Sequence, residues 1–358
     1  MTIFKAVTGI QQELQSRVRV NGSNHLLLRI LNYCNLPSLR RRVGRTSTGV
    51  LLPTTQFKRW LPFLGLTCTS IFWAGNAIIA RGVHDSIPPL SLSFFRWLVC
   101  ALIVSPFILR AYKRHYRIIG EHWGKILLLA FMSITTYNSL LYVSAQYTSA
   151  LNITLVTALM PVTTIVLSVP ILAATISLRS IMGIVCAFTG ALYVILKGSP
   201  EALWTLQFNT GDSVMVVAMF LWSLYSILLR KWQIPIPGVD LFLIFLGIGV
   251  IMIAPFYVAE HHYRGGFELT RELGLAILYV AIFPSLLAYL FWNFGVTQTS
   301  PSTASLFFYL TPLLTALLAI PFLHEHPSGY HGIGGLVIII GLWLCQDLGK
   351  DRSSQPGK

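Results

Sequence analysis

The sequence predicts an all-α integral membrane protein of ten transmembrane helices, arranged as two inverted-topology five-helix repeats. Three observations carry this prediction. Of the 358 residues, 54% are hydrophobic and only 11% charged, against roughly 25% charged in soluble domains. So few charges cannot clothe a chain of this size in water-facing surface, which excludes an ordinary soluble enzyme. Ten apolar runs stand between residues 60 and 345, most of them near the about 20 residues that a bilayer core requires. Finally, the second half of the chain repeats the first at a nearly constant offset.

In order, the runs are approximately Trp60–Ala80, Leu90–Leu109, Gly124–Gln146, Ala150–Ala173, Ser180–Leu196, Asp212–Leu229, Val239–Ala259, Leu273–Val296, Ser302–Leu323 and Gly332–Cys345. Each is apolar on all sides, as a helix in lipid should be. The links are short, Gln146–Ala150 and Thr297–Pro301 among them, so neighbours run antiparallel in a compact bundle.

The net charge of +14 is unevenly spread. Residues 1–59 hold ten Lys/Arg against Glu13 alone. With a cytoplasmic N-terminus, the inside receives this arm, the Arg110/Lys113/Arg114/Arg117/Lys125 cluster, Arg179, Arg230, Lys231 and the C-terminal Lys350, Arg352 and Lys358. The outside receives Arg81, Lys197, Arg264 and Arg271. Without the arm the ratio is still 11 to 4, which predicts ten spans with both termini cytoplasmic in the cell (inner) membrane. Nucleic acid is not needed as a partner to explain the basicity. The arm itself has three readings: translated leader ahead of the true start, a basic tail attracted to the cytoplasmic leaflet, or an organelle-targeting presequence. The first needs a non-methionine start codon, because no methionine falls between Met1 and Met132.

The repeat is explicit at an offset of 151. Thr148 and Ser149 match Thr299 and Ser300; Leu155, Leu159 and Thr164 match Leu306, Leu310 and Thr315. Pro161 and Pro170 match Pro312 and Pro321, Ser177 matches Ser328, and Gly183 and Gly190 match Gly334 and Gly341. At an offset of 149, Trp73, Ile78 and Arg81 match Trp222, Ile227 and Arg230. The paired prolines predict kinks at Pro161 and Pro312 in spans four and nine. The paired glycines, seven apart, predict close helix approach in spans five and ten. Five spans per half means that the second half enters the membrane from the opposite side. Secondary transporters recurrently use this architecture, with the substrate at the repeat interface near mid-membrane.

The chain resembles the EamA family of the drug/metabolite transporter superfamily over about residues 60–347. The resemblance rests on Phe72-Trp73-Ala74-Gly75-Asn76 through Arg81, Trp222 through Arg230, and Phe95-Arg96-Trp97. It continues with Thr299 through Ala304, Leu310-Thr311-Pro312-Leu313-Leu314-Thr315-Ala316, Leu323-His324-Glu325-His326 and Gly334 through Gly341. It implies a first EamA-like repeat at 60–197, a second at 211–347, a basic extension at 1–59 and a cytoplasmic tail at 348–358. Family members often carry an acid closing span four as Glu325 closes span nine; here Ala174 stands there.

The candidate pathway residues are Trp73, Asn76, Arg96, Tyr137, Asn138, Asn152, Trp222, Tyr225, Trp292, Asn293 and Tyr309, with Tyr142 and Tyr289 beside them. Aromatic faces with a few polar groups suit a small amphipathic molecule. Aromatics also form interfacial belts, and lone Asn or Tyr residues tie helices together. Arg96 is the only strongly basic residue well inside a span, where a charge costs roughly 2.5–3.5 kcal/mol. It either attracts an anionic substrate group or acts structurally, bonding carbonyls or snorkelling outward. The resemblance favours the structural role, because the family often places an arginine here whatever its substrate. No Asp or Glu falls in the middle of a span.

Other classes find less support. A polytopic enzyme needs a catalytic constellation at membrane depth, and none is legible. A non-transporting scaffold would be indifferent to Trp73 and Trp222. No Walker A run is present, so ATP-driven pumping is unsupported, and no cofactor is implied. His324, Glu325, His326 and His331 could gather zinc but read as solvated loop residues. The five cysteines lie scattered without a CxxC pair and read as small hydrophobes. The expected activity is secondary transport of a small metabolite, an amino acid or related compound, in the export direction.

Overall fold

The computed structural model describes residues 54–83, 85–148, 150–205, 207–323 and 329–345. The basic arm up to residue 53, His324, Glu325, His326 and the C-terminal tail lie outside them. Among the described residues there is no strand, and ten helical segments follow one another. They are α1 (Thr54–Val83), α2 (Pro89–Glu121), α3 (Trp123–Ser144), α4 (Ala150–Ala158 resuming as Met160–Leu172) and α5 (Leu178–Ile195). After a 3-10 turn at Pro200–Thr205 come α6 (Thr210–Trp232), α7 (Gly238–Arg264), α8 (Arg271–Gln298), α9 (Pro301–Leu306 through to Leu310–Leu323) and α10 (Gly329–Leu344). Eight are long and apolar enough to cross a membrane; α9 is broken and α10 has 16 residues. Large apolar side chains such as Leu102, Val166, Ile251 and Leu336 point outward and stay more than half exposed, the surface of a protein whose solvent is lipid. The chain is a multi-pass membrane protein.

Polar residues at the ends set the limits of the helices. Asn209 and Asp212 form a reciprocal capping box that starts α6. Ser177, Thr270 and Ser300 cap α5, α8 and α9 through side-chain oxygens. The start of α2 has no cap of its own, since Pro88 precedes it. Glu260, near the end of α7, serves instead: its carboxylate accepts from the backbone N–H groups of Leu90 at 3.1 Å and Ser91 at 2.6 Å, and from the Ser91 hydroxyl at 2.9 Å. Negative charge at a helix N-terminus is favourable.

One element differs from expectation. The basic Arg110–Lys125 stretch reads as a loop, yet α2 continues through most of it to Glu121, with non-helical backbone only at His115. Arg and Lys are good helix formers, and the ladder runs on past the apolar run. Asp240 near the start of α7 receives Arg114 at 3.2 Å and His115 at 2.8 Å there.

Every helix meets its counterpart from the other repeat. The α2–α7, α4–α9 and α5–α10 pairs pack together, Trp73 of α1 touches Trp222 of α6, and Asn138 of α3 bonds Tyr289 of α8. That is the pattern of a pseudo-two-fold axis through the middle of the bundle. In the α5–α10 pair, Gly183 faces Gly341 and Gly190 faces Gly334. A Cβ placed on Gly190 would lie 2.8 Å from the Gly334 carbonyl oxygen and 2.9 Å from the Ile338 nitrogen. Both are backbone atoms with no rotamer to yield. Gly190→Ala is therefore expected to push the two helices apart and cost about 1–3 kcal/mol, measured as a lower melting temperature in detergent. An unchanged melting temperature would count against this packing.

α4 breaks at Leu159, and Pro161 stands in the first turn of its second piece. α9 breaks at a 3-10 turn, Phe307–Tyr309, and Pro312 follows in the first turn of the next piece. A proline has no N–H for the carbonyl four residues earlier, so the ladder is interrupted just before it.

Candidate functional site

The middle of the bundle is organised by two short departures from α geometry. Phe131–Thr136 in α3 and Ala281–Leu287 in α8 are π-helical, at corresponding places in the two repeats. A π turn widens the ladder to i→i+5 and re-aims the side chains it carries. In α8 the cause is Pro284, which removes a donor. Ser285 next to it donates to the carbonyl of Val280, five residues back, at 2.6 Å. The Pro284 carbonyl receives the indole N–H of Trp73 at 3.3 Å.

Arg96 reaches into this region from α2. It is fully buried, does not snorkel, and bonds side-chain oxygens rather than backbone carbonyls. Its Nε donates to Ser285 Oγ at 2.8 Å, and one terminal nitrogen donates to Asn138 Oδ1 at 2.8 Å and Tyr142 Oη at 2.7 Å. The guanidinium lies 5.2 Å from the centre of the Trp97 ring. The network runs on. Tyr142 donates to Asn76 Oδ1 at 3.3 Å; the Asn138 amide donates to Tyr289 Oη at 2.8 Å; Tyr289 donates to the Ser133 carbonyl at 3.0 Å. Helices α1, α2, α3 and α8 are thus joined through one buried cation.

Against this network stands an aromatic cluster. Trp73 lies 5.5 Å from Trp222, 5.3 Å from Trp292, 5.0 Å from Phe308 and 6.3 Å from Tyr289, centroid to centroid. Trp222 also meets Tyr137 at 4.7 Å, Tyr225 at 5.3 Å and Tyr289 at 5.2 Å. Tyr225 donates to Asn293 Oδ1 at 2.7 Å, and the Trp292 indole donates to Ser226 Oγ at 3.2 Å. These spacings are contact distances, so the rings close the centre in this conformation. A separate cavity of about 380 Å³ lies between α2, α7 and α8, walled by Val104, Phe107, Leu243, Leu286 and Leu290, with Arg110, Arg114 and Asp240 among its lining.

Nine of the eleven residues expected on a pathway therefore fall in one connected centre: Trp73, Asn76, Arg96, Tyr137, Asn138, Trp222, Tyr225, Trp292 and Asn293. Two fall elsewhere. Asn152, at the start of α4, donates to the Gln207 carbonyl and to Asp212 Oδ2, both at 3.1 Å, beside the cap of α6. Tyr309, at the break in α9, is buried with Phe188 and the α5–α10 core. Sequence reasoning missed Ser285, Ser133 and Phe308. Pro284 inside an apolar run was the available signal for the first.

Five buried side-chain polar atoms among the described residues have no partner: Arg96 Nη2, Trp97 Nε1, Trp222 Nε1, Tyr309 Oη and Thr311 Oγ1. Such groups are uncommon in a bundle interior and invite an explanation.

Comparison with known proteins agrees with this architecture. A family model described as the EamA-like transporter family matches residues 60–196 and again 209–345. An uncharacterized transporter of Archaeoglobus fulgidus is 26% identical over 280 residues, covering 78% of this chain and 95% of its own. The Bacillus subtilis uncharacterized transporter YyaM is 29% identical over 276 residues, 76% of this chain and 89% of its own. A protein of Streptantibioticus cattleyicolor named a probable terminal-alkyne amino-acid exporter is 23% identical, covering 65% and 77%. A solved crystal structure, 16% identical, superposes with a TM-score of 0.64 over 81% of this chain and 98% of its own, a likeness of fold alone.

Proposed function

Because the chain belongs to the EamA-like transporter family, we propose that it is a secondary carrier and not an enzyme, exporting a small metabolite across the cell (inner) membrane. The substrate is an amino acid or a related compound. Transport proceeds by alternating access at the interface of the two repeats, with both termini in the cytoplasm. The observation that carries this reading is the meeting of equivalent residues at the axis. Trp73 and Trp222, which correspond in the two repeats, touch each other beside a buried arginine network. A site on a pseudo-symmetry axis can be approached equivalently from either side, which alternating access demands. The two π-helical segments, where the ladder departs from α geometry, are the hinges this reading assigns to α3 and α8. The direction of the termini rests on the excess of Lys and Arg in the loops assigned to the inside. The amino-acid reading draws on the name of the Streptantibioticus relative.

The test is metabolite profiling of cells and medium with and without the gene, followed by flux into proteoliposomes. Accumulation of an amino acid or its relative inside the deleted strain, restored by the wild-type chain and not by Trp73→Ala, is the expected result. An unchanged profile across amino acids, their derivatives and drugs overturns it.

A further inference from the structure

We propose that the transported molecule carries a carboxylate, and that Arg96, with the indole N–H groups of Trp97 and Trp222, receives it beside the ring of Tyr289. This rests on the carrier reading and names the chemistry of the same site.

Arg96 is buried to zero exposure, yet all three of its hydrogen bonds go to neutral oxygens, those of Ser285, Asn138 and Tyr142. No carboxylate pairs with it among the described residues. The two most buried acids are bonded elsewhere: Glu260 to the start of α2, and Asp212 to Thr148, Asn152 and Asn209. A buried cation without an anion is an expensive arrangement, and one that an incoming anion relieves.

The unpartnered atoms have matching chemistry. Arg96 Nη2, Trp97 Nε1 and Trp222 Nε1 are all buried and unbonded, and all three can only donate. They cannot satisfy one another; only an acceptor can satisfy them. They also share a neighbourhood. Trp97 and Trp222 both stand edge-on to Tyr289, at 4.9 and 5.2 Å, and Arg96 stacks on Trp97 while reaching Tyr289 through Asn138. A group with several acceptor lone pairs and one negative charge fits this set. A doubly charged phosphate does not, because Arg96 is the sole basic residue well inside a span. The aromatic faces around it suit the apolar remainder of a small organic acid.

The probes are matched series sharing one skeleton: leucine, leucinamide and isoamylamine; phenylalanine, phenylalaninamide and phenethylamine; hexanoate and hexanamide. Binding is read on the full chain in lipid nanodiscs, by tryptophan fluorescence and by the shift in melting temperature. The expected result is saturable binding of at least one acid, with its amide and amine at least tenfold weaker. Arg96→Lys should weaken that acid about tenfold and Arg96→Gln should abolish its binding. An amide or amine that binds as well as its acid overturns the assignment, as does Arg96→Gln retaining wild-type affinity. The acid–amide comparison needs only the wild-type chain, so it stands even where Arg96→Gln fails to fold. A neutral or cationic compound exported in the profiling experiment, with no acid bound, sinks the carboxylate and leaves the carrier intact. No compound of any class bound or exported sinks both.

Discussion

Replacing Trp222 by alanine is expected to lower stability by about 3–5 kcal/mol and to abolish transport. The indole is wholly buried and its ring meets those of Trp73, Tyr137, Tyr225, Tyr289 and Trp292 at 4.7 to 5.6 Å. Removing it opens a void at the axis, where both repeats converge, and forfeits contacts that lipid cannot replace. Phenylalanine at the same position separates two roles. It keeps one aromatic ring at the contact, gives up the second ring of the indole, and removes the indole N–H, which bonds nothing in the protein. Trp222→Phe should therefore lose clearly less stability than Trp222→Ala, while its apparent affinity for the proposed acid falls several-fold. The measurements are thermal unfolding in detergent and concentration-dependent flux in proteoliposomes. Equal stability of Trp222→Ala and wild type would remove the case for this packing. Unaltered affinity in Trp222→Phe would remove the indole from the site.

The second large effect is expected at Asp212. Its carboxylate accepts from the Thr148 hydroxyl at 2.6 Å, the Asn209 backbone at 2.8 Å and the Asn152 amide at 3.1 Å, and it is fully buried. It therefore closes the cap of α6 and ties that cap to the start of α4. Asp212→Ala removes a capping partner and strands buried donors from two segments, together worth about 2–4 kcal/mol. Asp212→Asn keeps an acceptor oxygen and should cost roughly half as much. Asn152→Ala, on the far side of the same bond, should reproduce part of the loss. Unfolding curves of the three variants check this. A fully stable Asp212→Ala would mean that the cap and the tie are dispensable.

The helices themselves were legible because bilayer thickness imposes a length that composition reveals. So was the correspondence of Trp73 with Trp222, because two copies of one sequence placed them at the same step of α1 and α6; that they touch came from the packing. Arg96 stood out as a charge where charges are costly. Its surroundings did not. Ser285 and Ser133 are ordinary small residues in apolar runs, and only the π turns direct them to the centre. Glu260 stands one residue past the apolar run Val239–Ala259, and nothing in the sequence links it to α2; its bond there depends on how α7 crosses that helix. Asn152 and Tyr309 resembled the other candidates in type and depth, but α4 and α9 turn them toward the cap of α6 and the α5–α10 core.

The division has one physical reason. A bilayer distinguishes apolar from charged, so the sequence by itself determined the ten spans, their two-fold repetition and the cost of a buried arginine. A bilayer barely distinguishes a face turned to lipid from a face turned to protein, since both are apolar and neither leaves a periodic mark. Which side chains meet at the axis, where the ladders widen to π geometry, and which donors are left without acceptors were therefore decided only when the helices packed.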